Sequence, residues 1–167
     1  MLRYLLAFSL ILLLASCKKD KVKAGNNVEM YLLSSYQAVS GKCQVDSSLS
    51  VLQDVPLIRN EEILQYSRST YAYSLTISAI QKIKNLIGRT PFAITVDRKV
   101  IFYGFYMPPI MSSTCFDSIT MDAVGFDQTN TMYMRQGYPG ALSGVPFDDQ
   151  RNNLKLIATF SNQGKLK

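Results

Sequence analysis

A change of hydrophobic period in the middle of the chain constrains its fold more than any other feature. From Tyr71 to Thr76 the side chains alternate, with Tyr71, Tyr73 and Leu75 on one side and Ala72, Ser74 and Thr76 on the other. A period of two belongs to a β-strand. At Ile77 the period lengthens. Ile77, Ile80, Ile83, Leu86 and Ile87 fall on one face of a helix, opposite Gln81, Lys82, Lys84 and Asn85. Ser78 with Gln81 reads as a capping box, and Gly88 as the stop before Pro91. Period two then returns in Phe92–Val96 and Val100–Tyr106, on either side of Asp97, Arg98 and Lys99. Strands joined so tightly form an antiparallel hairpin. Phe92, Ile94 and Val96 share a face of its first strand, and Ile101, Tyr103 and Phe105 share one of its second.

The remaining elements follow from weaker versions of the same patterns. Val28–Leu33 reads as a first strand, and the serine-rich stretch 34–60 as a loop with an edge strand near Leu49–Leu52. Ile63–Tyr66, Ser118–Val124 and Thr131–Gln136 read as further strands, with a turn at Gly137, Tyr138, Pro139 and Gly140. Leu154, Ile157, Ala158 and Phe160 mark an amphipathic C-terminal helix, capped by Asp148 or Asp149 and ended by Gly164. The sum is an α+β fold: a mostly antiparallel sheet with two amphipathic helices on one face, in a single globular domain over residues 28–167.

The N-terminus has a different character. Arg3 is followed by an uncharged, mostly aliphatic run from Tyr4 to Ala15. That length suits a signal-peptide core and falls short of the roughly 20 residues that span a bilayer. The run closes on Leu14-Ala15-Ser16-Cys17, which resembles the lipobox of bacterial lipoproteins. The resemblance implies that residues 1–16 are removed and that Cys17 is acylated, with palmitate-type chains holding the protein in a membrane. Two or more acyl chains anchor stably where one does not, at about 0.8 kcal/mol per buried methylene. Lys18, Lys19, Lys21 and Lys23, against Asp20 alone, add attraction to anionic headgroups. Residues 17–27 therefore read as a lipidated cysteine with a basic tether. The expected location is a bacterial cell envelope, on the periplasmic side or the surface, with the outer membrane favoured over the inner.

Composition removes several classes of function. The net charge of +6 invites a nucleic-acid partner, yet from Val28 onward 13 basic residues face 11 acidic ones. The basicity belongs to the leash, and no nucleic-acid partner is expected. The chain has no histidine. Ser-His-Asp and Cys-His catalysis and the usual zinc sites are thereby excluded. Asp117, Asp122 and Asp127 lack the spacing of a calcium loop, so neither metal nor cofactor is expected.

With Cys17 lipidated, Cys43 and Cys115 remain as an even pair in an oxidising compartment. They are either two buried thiols or a disulfide. Their polar settings, Gly41-Lys42-Cys43-Gln44 and Ser112-Ser113-Thr114-Cys115, favour the bridge, which would close a loop of about 72 residues at about 4 kcal/mol. Two resemblances add to this. Tyr73–Thr76, the helix and Ile87–Ile101 resemble a β-α-β-β unit in the periplasmic head of the SecD protein-export subunit, although Arg98 stands where that family tends to carry glycine. Gly41-Lys42-Cys43, Ser112–Cys115, Gly137–Gly140 and Arg151–Ile157 are similar to segments of small uncharacterised bacterial lipoproteins. That likeness implies the Cys43–Cys115 disulfide and a single domain, and brings no activity with it.

Two functional expectations follow. The first is a non-enzymatic accessory module that binds an envelope protein or peptide, with Tyr106, Met107, Pro108 and Pro109 as its surface. They sit in an aromatic- and proline-rich run from Tyr103 to Met111 whose tyrosines and phenylalanines read equally as core. The second is a histidine-free hydrolase or glycosidase using paired carboxylates, Glu61 with Glu62 or Asp148 with Asp149. Adjacent carboxylates point apart on a strand, whereas glycosidases need two that face each other from separate elements.

Overall fold

The computed structural model describes residues 22–123 and 130–167. Cys17, Lys18, Lys19, Lys21, Val124 and Asp127 lie outside the described residues. Eight strands are present: β1 (Val28–Ser35), β2 (Val51–Leu52), β3 (Ile63–Ser67), β4 (Ala72–Leu75), β5 (Pro91–Val96), β6 (Lys99–Tyr106), β7 (Cys115–Ala123) and β8 (Thr131–Tyr138). Two helices join them, α1 (Ile77–Lys84) and α2 (Leu154–Asn162). The strands form one sheet in the order β2-β1-β5-β6-β7-β8-β4-β3. Every neighbouring pair is antiparallel except β6 and β7, which run parallel. This is the α+β architecture expected from the change of period.

Both helices lie on one face. Ala79, Ile80 and Ile83 of α1 and Leu156 and Phe160 of α2 share a core with Phe92, Ile94 and Val96 of β5. An aromatic trio anchors the far side of this core. Tyr66 lies 4.6 Å from Tyr73 and 5.0 Å, stacked, from Phe160 (centroid to centroid). The Tyr66 hydroxyl donates to the Arg151 carbonyl at 2.8 Å. The Tyr73 hydroxyl is fully buried and has no hydrogen-bond partner among the described residues. The sheet's β3 edge is covered by the C-terminal tail, where Tyr66 N–H donates to the Lys165 carbonyl and Lys167 N–H to the Tyr66 carbonyl. A covered edge is protected from pairing with another chain.

Three local expectations need correction. The α1 cap is Thr76, whose hydroxyl accepts from Ala79 N–H, and not Ser78. The helix ends at Lys84, and Leu86 N–H turns back to the Ile83 carbonyl so that the chain can enter β5. Ile87, which falls on the apolar stripe in sequence, is consequently 83% exposed. The α2 cap is Asn153, which accepts from Lys155 N–H. Asp149 is taken instead by Arg151, with Nη2 2.7 Å from its carboxylate. That guanidinium is buried, lies 3.8 Å from the Tyr71 ring centroid, and also donates to the Met134 carbonyl. A buried cation needs such a partner, and Arg151 holds the Asp149 carboxyl below the usual range.

The domain also starts earlier than its hydrophobicity implies. Asn26 and Asn27 N–H groups donate to Asp97 Oδ1 at 3.0 and 2.9 Å, and Gly25 N–H donates to Thr159 Oγ1 at 2.9 Å. A side chain at Gly25 would collide with Val96 and Asp97, so only glycine fits. Asp97 and Arg98 both sit at positive φ in the β5–β6 turn. These bonds, and the Arg98 guanidinium 5.3 Å from the Tyr31 ring centroid, offset that strain. Residues 25–27 are thereby fixed to the β5–β6 turn end of the sheet.

The two core tyrosines should behave oppositely on removal of one oxygen. Tyr66→Phe loses a made hydrogen bond and should cost about 1 kcal/mol, whereas Tyr73→Phe removes a buried, unpaired hydroxyl and should be neutral or stabilising. Urea denaturation of the two variants checks this; a Tyr73→Phe loss as large as that of Tyr66→Phe would show that the Tyr73 hydroxyl is satisfied.

Candidate functional site

Among the described residues β6–β7 is the one parallel pair in the sheet. The two strands are joined by residues 107–114 with no intervening helix. They pair only through Gly104 with Ile119, Phe105 with Thr120 and Tyr106 with Met121. Gly104 is required there, because a side chain would meet the Ile119 carbonyl and the Phe92 ring at 2.5 and 2.6 Å. Before that point the strands diverge. The start of β7 bulges, as a step of four from Cys115 to Ile119 faces a step of two from Tyr138 to Gln136 of β8.

The divergence opens a cleft of about 400 Å³. Val100–Tyr103 of β6 form one wall and Asp117–Ile119 of β7 the other. Gln44, Val45 and Ser47 close it from one side of the sheet, and Phe147, Asp148 and Gln150, in the approach to α2, from the other. Its size lies within the range of ligand pockets, and its lining mixes apolar side chains with a few polar ones.

The sheet's second face forms a smaller core beside this cleft. Val45, Phe105, Met107 and Cys115 are buried together, with Leu33, Cys43, Tyr103, Met111 and Tyr138 packed against them. A Cys43–Cys115 disulfide ties the 36–46 segment to the start of β7, with Cα atoms 5.2 Å apart. The Tyr138 hydroxyl reaches the carbonyls of Pro109 and Met111 at 2.9 and 3.1 Å and so holds the 107–114 return. The tyrosine of the Gly137–Gly140 motif is thus a tie for this loop. Beside the disulfide, Lys42 and Arg89 border a shallower depression, with Arg89 Nη2 3.9 Å from Cys43 Sγ.

The expected partner surface is divided by this packing. Tyr106 and Met107 are buried in the two cores, because β6 continues through Tyr106 and Met107 N–H donates to the Met121 carbonyl. They are not surface residues. Pro108 and Pro109 lie on the half-buried and exposed side, followed by Ile110, which is 88% exposed. Gly88 approaches Met111 and Pro108. The exposed side chains of Ile87 and Ile110 thus flank one contact, at the end of β5–β6 opposite the clamped Gly25–Asn27. Six residues of β5 separate these ends, about 20 Å at the rise of a strand. Sequence reading missed Ile87 because its helical spacing is apolar; only the early end of α1 exposes it.

The carboxylate pairs read from sequence do not converge. Glu62 accepts from Lys82 Nζ at 2.7 Å and from Arg59 N–H, which together hold its carboxyl below the usual range despite partial burial, while Glu61 is exposed. Asp149 serves Arg151. Asp148 instead shares the cleft with Asp117, which comes from a separate element as two-carboxylate chemistry requires. Asp148 is exposed and Asp117 half-buried, whereas a general acid at neutral pH needs a dry setting. Asp122 pairs with Arg135 on β8. Among the described residues, no group of three or more metal-ligating side chains comes together.

Comparison of the chain with protein-family models, curated proteins and solved structures returned no match.

The disulfide holds the segment that carries Gln44 and Val45 to the start of β7, and its removal should show in that region first. Cys43→Ser with Cys115→Ser should lower stability by up to about 4 kcal/mol. Hydrogen exchange should speed up over 36–46 and 107–114 while the Tyr66–Phe160 core stays protected. Uniform loss of protection would instead make the bridge essential to the whole domain.

Proposed function

We propose that this chain is a lipid-anchored bacterial envelope protein whose domain binds another envelope protein and carries out no catalysis of its own. The observation that carries this reading is the placement of the two most exposed large hydrophobic side chains among the described residues. Ile87 and Ile110, with the exposed Pro109 beside them, sit at the end of the β5–β6 hairpin farthest from the point where Gly25–Asn27 are clamped. A domain tethered at one end and carrying its two most exposed large hydrophobic side chains at the other presents these to partners in the compartment rather than to its own bilayer. Among the described residues no helix is long and apolar enough to cross a membrane, and Cys17 with the lysines after it supplies the attachment in this reading.

The anchor is tested by intact-mass measurement on the protein extracted from membranes. The mature chain should begin at Cys17 and carry the mass of at least two acyl chains, and Cys17→Ser should release it from the membrane fraction. A processed chain without acyl mass would overturn lipidation.

The partner surface is tested with a photo-crosslinking residue placed at Ile110, at Ile87, or at the exposed Glu61 near the tether. Discrete adducts are expected from the first two positions in living cells and not from the third, and Ile110→Asp should abolish those formed from Ile87. The same adducts from Glu61, or none anywhere, would count against a binding surface at the distal end.

A further inference from the structure

We infer that the Cys43–Cys115 bridge is a thiol–disulfide exchange site that oxidises dithiols, with Cys43 as the sulfur attacked and Cys115 as its resolving partner. This inference stands apart from both the lipid anchor and the apolar end proposed above.

The first observation is the unequal setting of the two sulfurs. Cys115 is buried in the second core with Val45, Phe105 and Met107, whereas Cys43 is only partly buried. Both line the shallow depression bordered by Lys42 and Arg89. Access decides which sulfur of a disulfide is attacked, and Cys43 is the open one.

The second is a cation held against that sulfur. Arg89 Nη2 lies 3.9 Å from Cys43 Sγ. Arg89 has a left-handed backbone, φ 67°, which residues other than glycine rarely adopt. Its N–H donates to the Tyr106 carbonyl at 2.7 Å and fixes it there. Strained residues of this kind cluster at functional sites. Among the described residues Arg89 forms no ion pair. Lys42 adds a second cation, against the one carboxylate in the lining, Asp117. The other titratable side chains packed there, Tyr103 and Tyr138, are neutral hydroxyls. A cation beside a cysteine favours its thiolate, and apolar burial disfavours it. The pair is thereby divided into a nucleophile, Cys43, and a resolving thiol, Cys115.

The third is that neither cysteine depends on the bridge alone for its position. Cys43 sits in a turn with bonds of its own, from Val39 N–H to the Gln44 carbonyl and from Asp46 N–H to the Gln37 carbonyl. Cys115 starts β7 and pairs with Tyr138. Once reduced, the Cys115 thiol has the Cys43 carbonyl 3.6 Å away as an acceptor.

The dithiol supplies both electrons. Its first thiolate attacks Cys43 Sγ, so that a mixed disulfide forms and the Cys43–Cys115 bond breaks. Cys115 Sγ leaves with the electron pair and takes a proton from solvent. The second thiolate then attacks the first sulfur of its own molecule. The dithiol closes to a disulfide, its two protons having gone to solvent, and Cys43 departs as a thiolate beside Arg89.

The test uses the purified, oxidised full-length protein in detergent. Dithiothreitol should open the bridge at pH 8 without denaturant. Glutathione, trapped with acid and located by peptide mass spectrometry, should be found on Cys43 and not on Cys115. Arg89→Gln should slow reduction by dithiothreitol about three- to fivefold, since Cys43 is then the poorer leaving group, and Arg89→Lys should restore most of the rate. Lys42→Gln, in an exposed turn, should give a smaller loss and reports even if Arg89→Gln folds poorly. Lys99→Gln, an equal loss of charge at the opposite end of β5–β6, should leave the rate unchanged. In the reduced protein iodoacetamide should label Cys43 about tenfold faster than Cys115, and Arg89→Gln should move the pH of half-maximal Cys43 labelling upward. A bridge that opens only in urea, glutathione on Cys115, or exchange and labelling indifferent to Arg89 would each overturn the proposal and leave the disulfide a structural tie.

Discussion

The step from β6 to β7 is the constraint on which the rest of this structure depends. Adjacent parallel strands ordinarily need a crossover of a dozen or more residues, usually a helix, to carry the chain back to its starting level. Here residues 107–114 make the return. So short a connection cannot hold a helix, and it must lie against the sheet. It brings Met107 and Met111 onto the second face, where Phe105, Val45 and Cys115 receive them. It needs fixing at both ends, which the disulfide to Cys43 and the Tyr138 hydroxyl provide. It also leaves the strands little common length, so they pair over three residues and then part. The second core, the cleft and the exposed Pro109–Ile110 corner are consequences of one short connection.

The arrangement gives the domain a direction. At one end Asp97 gathers the N–H groups of Asn26 and Asn27, and their bonds hold its carboxyl below the usual range although it is exposed. That clamp stays formed while Asp97 is ionised and weakens only as the pH falls through its lowered folded-state value. At the other end Ile87 and Ile110 stand in solvent. The cleft between β6 and β7 carries Asp117 and Asp148, and Lys18, Lys19, Lys21 and Lys23 precede the clamp in the sequence.

The legible part of this fold was the part governed by local periodicity. The strand-to-helix switch at Thr76, the β5–β6 hairpin and the C-terminal helix each stand on a repeat of two or 3.6 within a dozen residues. The errors came where local signals were ambiguous and packing chose. Thr76 and Ser78 are both competent caps, and the turn out of β4 selected Thr76. Asp148, Asp149 and Asn153 all precede α2; Asp149 was claimed by a buried arginine, which left Asn153 to cap. Ile87 follows the apolar stripe, yet the chain had to leave the helix before it to reach β5. Tyr106 and Met107 looked like interface material because aromatic and sulfur side chains serve cores and surfaces alike. Their burial depends on β7 and on the 107–114 return, which no short stretch records. That Asp117 and Asp148 line one cleft was out of reach for the same reason: the two residues are 31 positions apart in the chain and come to it from β7 and from the approach to α2.

By itself the sequence determined the elements, the α+β class, the absence of histidine chemistry and the concentration of positive charge ahead of the domain. All of these are properties of neighbours along the chain or of composition, and they survive any arrangement in space. Only the tertiary structure decided that β6 and β7 run parallel, that Cys43 and Cys115 meet, that Pro109 and Ile110 are left outside, and that a cleft opens at the divergence. Each of these depends on contacts between residues far apart in sequence. Such contacts are selected by what must be buried on both faces of the sheet, not by the preference of any one segment.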